Sequence, residues 1–155
     1  MNTKTVNHFK QLLRFSGLFN IILAFSFIIP HAYEYYLEFF NQVNGFLKLG
    51  GNNISIPTDS FHALFIHTAG IDLVLIGSFV LMASIDPLNK ISRLIIIFNG
   101  IGRGLFFIIV TYYALTQGLI GIFTVVGVID IIITSSFLYY LKKTSLPKTT
   151  EVYAV

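Results

Sequence analysis

The chain has 155 residues, 55% of them hydrophobic and 11% charged, with a net charge of +3 and a mean hydropathy of +0.78. Soluble domains carry about 25% charged residues, so this composition excludes one and points to a single compact transmembrane domain over residues 1–155 whose first partner is the lipid bilayer. There is no cysteine, which excludes disulfides, thiolate catalysis, iron–sulfur clusters and thiol redox chemistry, and the basic excess lies where membrane-orientation rules place it, so nucleic-acid binding has no support.

The basic N-terminus MNTKTVNHFKQLLR leads into an apolar run over residues 12–30. It opens like a signal peptide, but the exit IIPHAYEYY has no small-x-small cleavage site, so the run is read as a retained first transmembrane helix. Ser16, Gly17, Asn20, Ala24 and Phe27 recur on one face at helical spacing, a stripe of small and polar residues suited to close packing.

Hydrophobicity then falls over residues 31–59, which form the outer loop. AYEYYLEFFNQVNGF mixes aromatics with Glu34 and Glu38 and reads as an interfacial helix. LKLGGNNISIPTDS is rich in turn residues, with a short strand expected at ISIP and an N-cap expected among Thr58, Asp59 and Ser60.

The second transmembrane helix is expected over 60–84 with Asp72 at mid-span, ending in a turn broken by Pro87. The third, over 91–117, carries Arg103 near its middle and Asn99 one turn earlier. About 20 apolar residues cross a hydrocarbon core of roughly 30 Å, which puts Arg103 near the midplane, where insertion scales charge about 2.5–3.5 kcal/mol. Arg103 therefore requires an anionic partner. The fourth helix, over 119–141, carries Asp130 at mid-span with Gly127, Thr134 and Phe137 on its face, and the polar tail KKTSLPKTTEVYAV is expected to fray.

Lys4, Lys10, Arg14, Lys90, Arg93, Lys142, Lys143 and Lys148 fall at the two ends and the second loop, on one side of a four-helix hairpin, whereas Lys48 alone falls in the opposite loops. The positive-inside rule then places both termini in the cytoplasm of a multi-pass protein, read as one of the bacterial inner membrane. GIDLVLIGSFVL around Asp72 aligns with VIDIIITSSFLY around Asp130, and Gly17-Leu18-Phe19-Asn20 resembles Gly100-Ile101-Gly102-Arg103. Two parallel-repeat helical hairpins are one origin of this likeness, and chance similarity among apolar helices is the other.

Asn20, Asp72, Arg103 and Asp130 thus fall near one depth and, with Asn99 one turn before Arg103, are expected to form an intramembrane polar cluster. One reading is a structural clasp in which Arg103 bridges two carboxylates. Another is a proton- or cation-coupling site, because two carboxylates would outnumber the one cation. No catalytic residue is identified. Gly100-x-x-x-Gly104, with Gly17 and Gly127, is assigned to helix packing, chiefly within the chain and alternatively between copies. His31, His62 and His67 near the outer ends are weak metal candidates, since His62 and His67 lie about 140° apart on a helix; no metal or other cofactor is expected.

Arg14-x-x-Gly17 opening the first helix, the long aromatic outer loop and the Ala-Ser-Ile-Asp-Pro turn after the second resemble small four-helix bacterial membrane proteins of the DoxX-like kind. The resemblance implies a four-helix bundle and, for some members, an accessory role in membrane oxidoreductase systems. The expected fold is all-α, an integral membrane bundle of four helices. The expected function is a non-enzymatic accessory subunit or scaffold with a membrane-protein partner or as a homo-oligomer. The alternatives are a small proton- or cation-coupled transporter or channel, and an enzyme acting on lipid or quinone.

Overall fold

The computed structural model describes residues 3–144, and the expected frayed tail beyond Thr144 lies outside them. Five helices run in order among these residues: α1 (Thr3–Ile28), α2 (Ala32–Leu47), α3 (Ser60–Ala83), α4 (Lys90–Gln117) and α5 (Gly121–Lys143). α1, α3, α4 and α5 are each long and apolar enough to span a membrane. The fold is therefore a helical membrane bundle.

α1 begins nine residues before the apolar run at 12, because nothing in TKTVNHFKQ breaks a helix and hydropathy marks only the lipid-crossing part. It stops two residues before Pro30, and His31 turns the chain with φ 63°. α5 begins at Gly121, two residues later than expected, since Gly118 closes α4 in the left-handed region and residues 118–120 make the turn.

α1 packs along α3 and α4 along α5, with less contact between the two pairs. The α1–α3 seam is made by glycines. A Cβ on Gly17 would come within 2.7 Å of the Gly77 carbonyl oxygen, and one on Gly77 within 2.8 Å of the Gly17 oxygen. Gly70 is pressed against Phe27 in the same way. Such close backbone approach is how helices associate where lipid supplies no hydrophobic drive. On α5, Gly127 admits Phe107 and Val110 at 3.4 and 3.6 Å from its would-be Cβ, whereas a Cβ on Gly104 would have nothing within 4 Å, so Gly104 makes no close helix contact among the described residues of the chain.

Two apolar cores occupy the two ends. One gathers Phe9, Leu13, Val80, Ile96, Phe137 and Leu141 at the end where α1 begins and α5 finishes. The other is built by Tyr33, Leu37 and Phe40 of α2, packed on Phe27, Ile66 and Phe123. Between them lies the polar waist.

The segment ISIP forms no strand; residues 52–58 run as a loop fastened by side chains. Asn41 donates to the Ile54 carbonyl (3.1 Å) and accepts from its amide (2.8 Å), occupying both groups that a strand partner would have used. Asn44, buried, donates to the Gly50 carbonyl and accepts from the Ile122 amide, each at 3.0 Å. Gly51 adopts φ +81°, and a Cβ there would meet the Leu119 carbonyl oxygen at 2.4 Å, so only glycine lets this loop lie on the α4–α5 turn.

At the opposite end Arg93 donates to the carbonyl of Leu141 (2.8 Å) and to Thr144 Oγ1 (3.2 Å). A cation there satisfies carbonyls that the last turn of α5 leaves open and opposes its dipole.

Candidate functional site

Arg103 is 5% exposed. Its Nη1 pairs with Asp130 Oδ1 on α5. Its Nε donates to Asn99 Oδ1 at 3.0 Å, one turn earlier on α4. Its Nη2 faces α1, within 3.0 Å of Ser16 Oγ, 3.3 Å of the Ser16 carbonyl and 2.5 Å of Asn20 Oδ1. One guanidinium therefore ties three helices together at the waist, and Thr134 adds a bond from α5 to the Gly100 carbonyl at 3.3 Å.

The structure thus brings together Asn20, Asn99, Arg103 and Asp130 and leaves Asp72 out. Asp72 is exposed on the flank of α3. The cause is the glycine seam: turning Gly70 and Gly77 toward α1 places Asp72, about 140–160° away around the helix, on the outside. The cluster contains one cation and one carboxylate and is electrically balanced. The carboxylate surplus on which a coupling site would rest is not in it.

Ser16 belongs to the site although its expected part was only packing; its position four residues before Asn20, on the same helix face, is the signal that marks it.

A guanidinium has donors only, so both amides must turn their oxygens toward it. The Nδ2 groups of Asn20 and Asn99, and the second oxygen of Asp130, then have no hydrogen-bond partner among the described residues. None is sealed in, because every fully buried side-chain nitrogen or oxygen described has a partner. Asn20, Asn99, Arg103 and Asp130 line the floor of a cleft of about 530 Å³ between α3 and α4. Its walls are apolar, among them Phe19, Leu23, Leu73 and Phe106. Ile76, Phe79, Leu94 and Phe98 rim it and are exposed on the apolar flank, so the mouth opens sideways, toward lipid.

The three histidines do not converge. His31 Nδ1 lies 3.1 Å from Glu34, His62 Nδ1 lies 2.7 Å from Asp59, and His67 Nδ1 donates to the Phe27 carbonyl at 2.6 Å. Among the described residues no three His, Cys, Asp or Glu side chains gather closely enough to hold a metal ion.

Asp59 is the N-cap of α3, accepting from the His62 amide at 3.0 Å. That bond first, and the His62 ring second, hold its carboxylate below the ordinary value of 3.8. A depressed carboxylate stabilises the folded cap above its unfolded pKa and loses that contribution as pH falls through the folded value. Hydrogen exchange of amides 60–63, corrected for intrinsic rate, is therefore expected to be flat above about pH 5 and to accelerate below about pH 4. Asp59→Asn should remove the step.

No protein-family model matches this chain, and neither a curated protein nor a solved structure does.

Proposed function

We propose that this protein is a non-catalytic membrane subunit that holds a neutral amphiphile in the cleft between α3 and α4. The observation that carries this reading is the pair of unpartnered amide donors and the free carboxylate oxygen at the floor of an apolar, laterally open cavity. Pockets of about 300–1,000 Å³ with apolar walls and a few converging polar groups are where small ligands bind. The floor lies near mid-membrane, Arg103 being about 20 Å along α4 from either end. A charged headgroup does not reach that depth cheaply, and the balanced Arg103–Asp130 pair has no charge to offer one. The matching ligand has an apolar chain and a small head bearing a carbonyl or hydroxyl oxygen, the chemistry shared by neutral acyl lipids and membrane quinones. The amide groups bind that oxygen, and a hydroxyl can donate back to Asp130.

Chemistry on the ligand lacks support. No cysteine is present, and the Ser16 hydroxyl in the cluster accepts from Arg103 and has no hydrogen bond to a base among the described residues that would activate it. Holding and presenting the amphiphile fits the accessory role. The distribution of Lys and Arg supports both termini in the cytoplasm, and the bacterial inner membrane as the site rests on the DoxX-like resemblance alone.

Purification in mild detergent followed by lipid extraction and mass spectrometry tests the reading. Expected is close to one neutral carbonyl- or hydroxyl-bearing lipid per chain, enriched over its share of the source membrane. Phospholipid at bulk composition, or no retained lipid, would sink it.

A further inference from the structure

Asp72 is the mid-span charge that the interior does not use. It stands twelve residues after Ser60 and eleven before Ala83, on the least buried of the four long helices. It makes no hydrogen bond or ion pair among the described residues, while Arg103 and Asp130 have each other. In helical projection it lies about 20° from Phe79 and Phe65 and 40° from Ile76 and Thr68. These four are exposed, so the carboxylate sits at the centre of an uncovered stripe.

We propose that this stripe docks a transmembrane helix of a different protein carrying a Lys or Arg at mid-span. An Asp at this depth costs about 2.5–3.5 kcal/mol on insertion scales, and intramembrane charges are retained where an opposite charge or a polar partner offsets that cost. Charge complementarity decides what the partner is. A second copy of this chain supplies no cation here, because Arg103 is 5% exposed and already bound to Asp130, Asn99, Ser16 and Asn20. A two-fold contact along α3 would instead set Asp72 toward Asp72. Partners with mid-span acids are rejected by the same residue, which makes it a selector as well as an anchor. Thr68 adds no competing donor, since its hydroxyl is bonded to the Leu64 carbonyl at 2.9 Å. The exposed Phe65, Ile76 and Phe79 supply the packing around the charge. The stripe shares Ile76 and Phe79 with the rim of the cleft, but the inference rests on the charge of Asp72, which does not line the cleft.

The test uses the full chain, donor-labelled, in phosphatidylcholine vesicles, with acceptor-labelled host helices of about 20 Leu and Ala residues. The hosts carry Arg, Gln or Leu at the centre, or Arg two turns from the centre. Energy transfer is expected to report roughly tenfold tighter association with the central-Arg helix than with the Leu helix, the scale of one good interhelical polar contact. Asp72→Asn should abolish that preference, and Asp72→Lys should transfer it to a host with central Glu. Equal binding by wild type and Asp72→Asn, equal binding of the Gln and Arg hosts, or indifference to the depth of the Arg would each overturn the proposal. Transfer between two labelled copies of the chain that vanishes in Asp72→Asn would assign the stripe to self-association and overturn it as well.

Discussion

Arg103→Gln is expected to be among the most damaging single substitutions in the bundle. Asp130 has Arg103 as its partner and no other donor among the described residues, and its side chain is 10% exposed. Removing the cation leaves a buried carboxylate uncompensated, for which losses of about 3–5 kcal/mol are typical. Individual interhelical hydrogen bonds in membranes are smaller, on the order of 0.6–2 kcal/mol, so the stranded charge outweighs the lost bonds to Asn99, Ser16 and Asn20. Adding Asp130→Asn should restore most of the folded yield and melting temperature, because it removes the stranded charge at its source. Adding Asp72→Asn should restore none, since that carboxylate faces lipid on another helix flank. Thermal unfolding in detergent, with recovered monodisperse protein as a second readout, checks the series. A rescue by Asp72→Asn equal to that by Asp130→Asn would mean that both carboxylates share the cation, contrary to the geometry.

The distinction between the two aspartates was not legible from the residues alone. Hydropathy runs located the four long helices, because lipid demands about twenty apolar residues for each crossing and little else in the chain supplies them. Depth was legible too: counting from the loops puts Asn20, Asp72, Arg103 and Asp130 near one level. Rotation about each helix axis was not. The alignment of Asp72 with Asp130 suggests equal roles, yet Phe137 is 1% exposed where its counterpart Phe79 is 50% exposed. α3 carries glycines at 70 and 77 that α5 lacks at the aligned places, Val128 and Ser135, and backbone contact through those glycines fixes which way α3 faces. The packing glycines expected from the sequence did not include Gly70 and Gly77, whose seven-residue spacing puts them on one face of α3 that meets α1. The outer loop was hidden for a related reason. Asn41 and Asn44 sit in an aromatic helix where asparagine reads as solvated surface, and their bonds to Ile54, Gly50 and Ile122 depend on segments up to 78 residues away.

Gly102→Leu is expected to evict the amphiphile while leaving the fold as stable as before or more so. Gly102 lines the cleft, and a Cβ built on it meets nothing within 4 Å, so a side chain there enters the cavity without pushing on protein. Replacing a glycine inside a helix also removes a conformational cost of about 0.5–1 kcal/mol. Melting temperature measured after delipidation should therefore hold or rise. Lipid retained per chain should fall with Leu and further with Phe, because a ligand that fills a closely packed site cannot share it with a buried side chain. Gly104→Leu supplies the control: its Cβ is equally unobstructed and gains the same helix propensity, but it does not line the cleft. Retention is expected to be unchanged there. If both glycine variants lost lipid alike, the loss would belong to α4 as a whole and the cleft would not be the site; if Gly102→Phe kept its lipid, the amphiphile would have to sit elsewhere on the bundle.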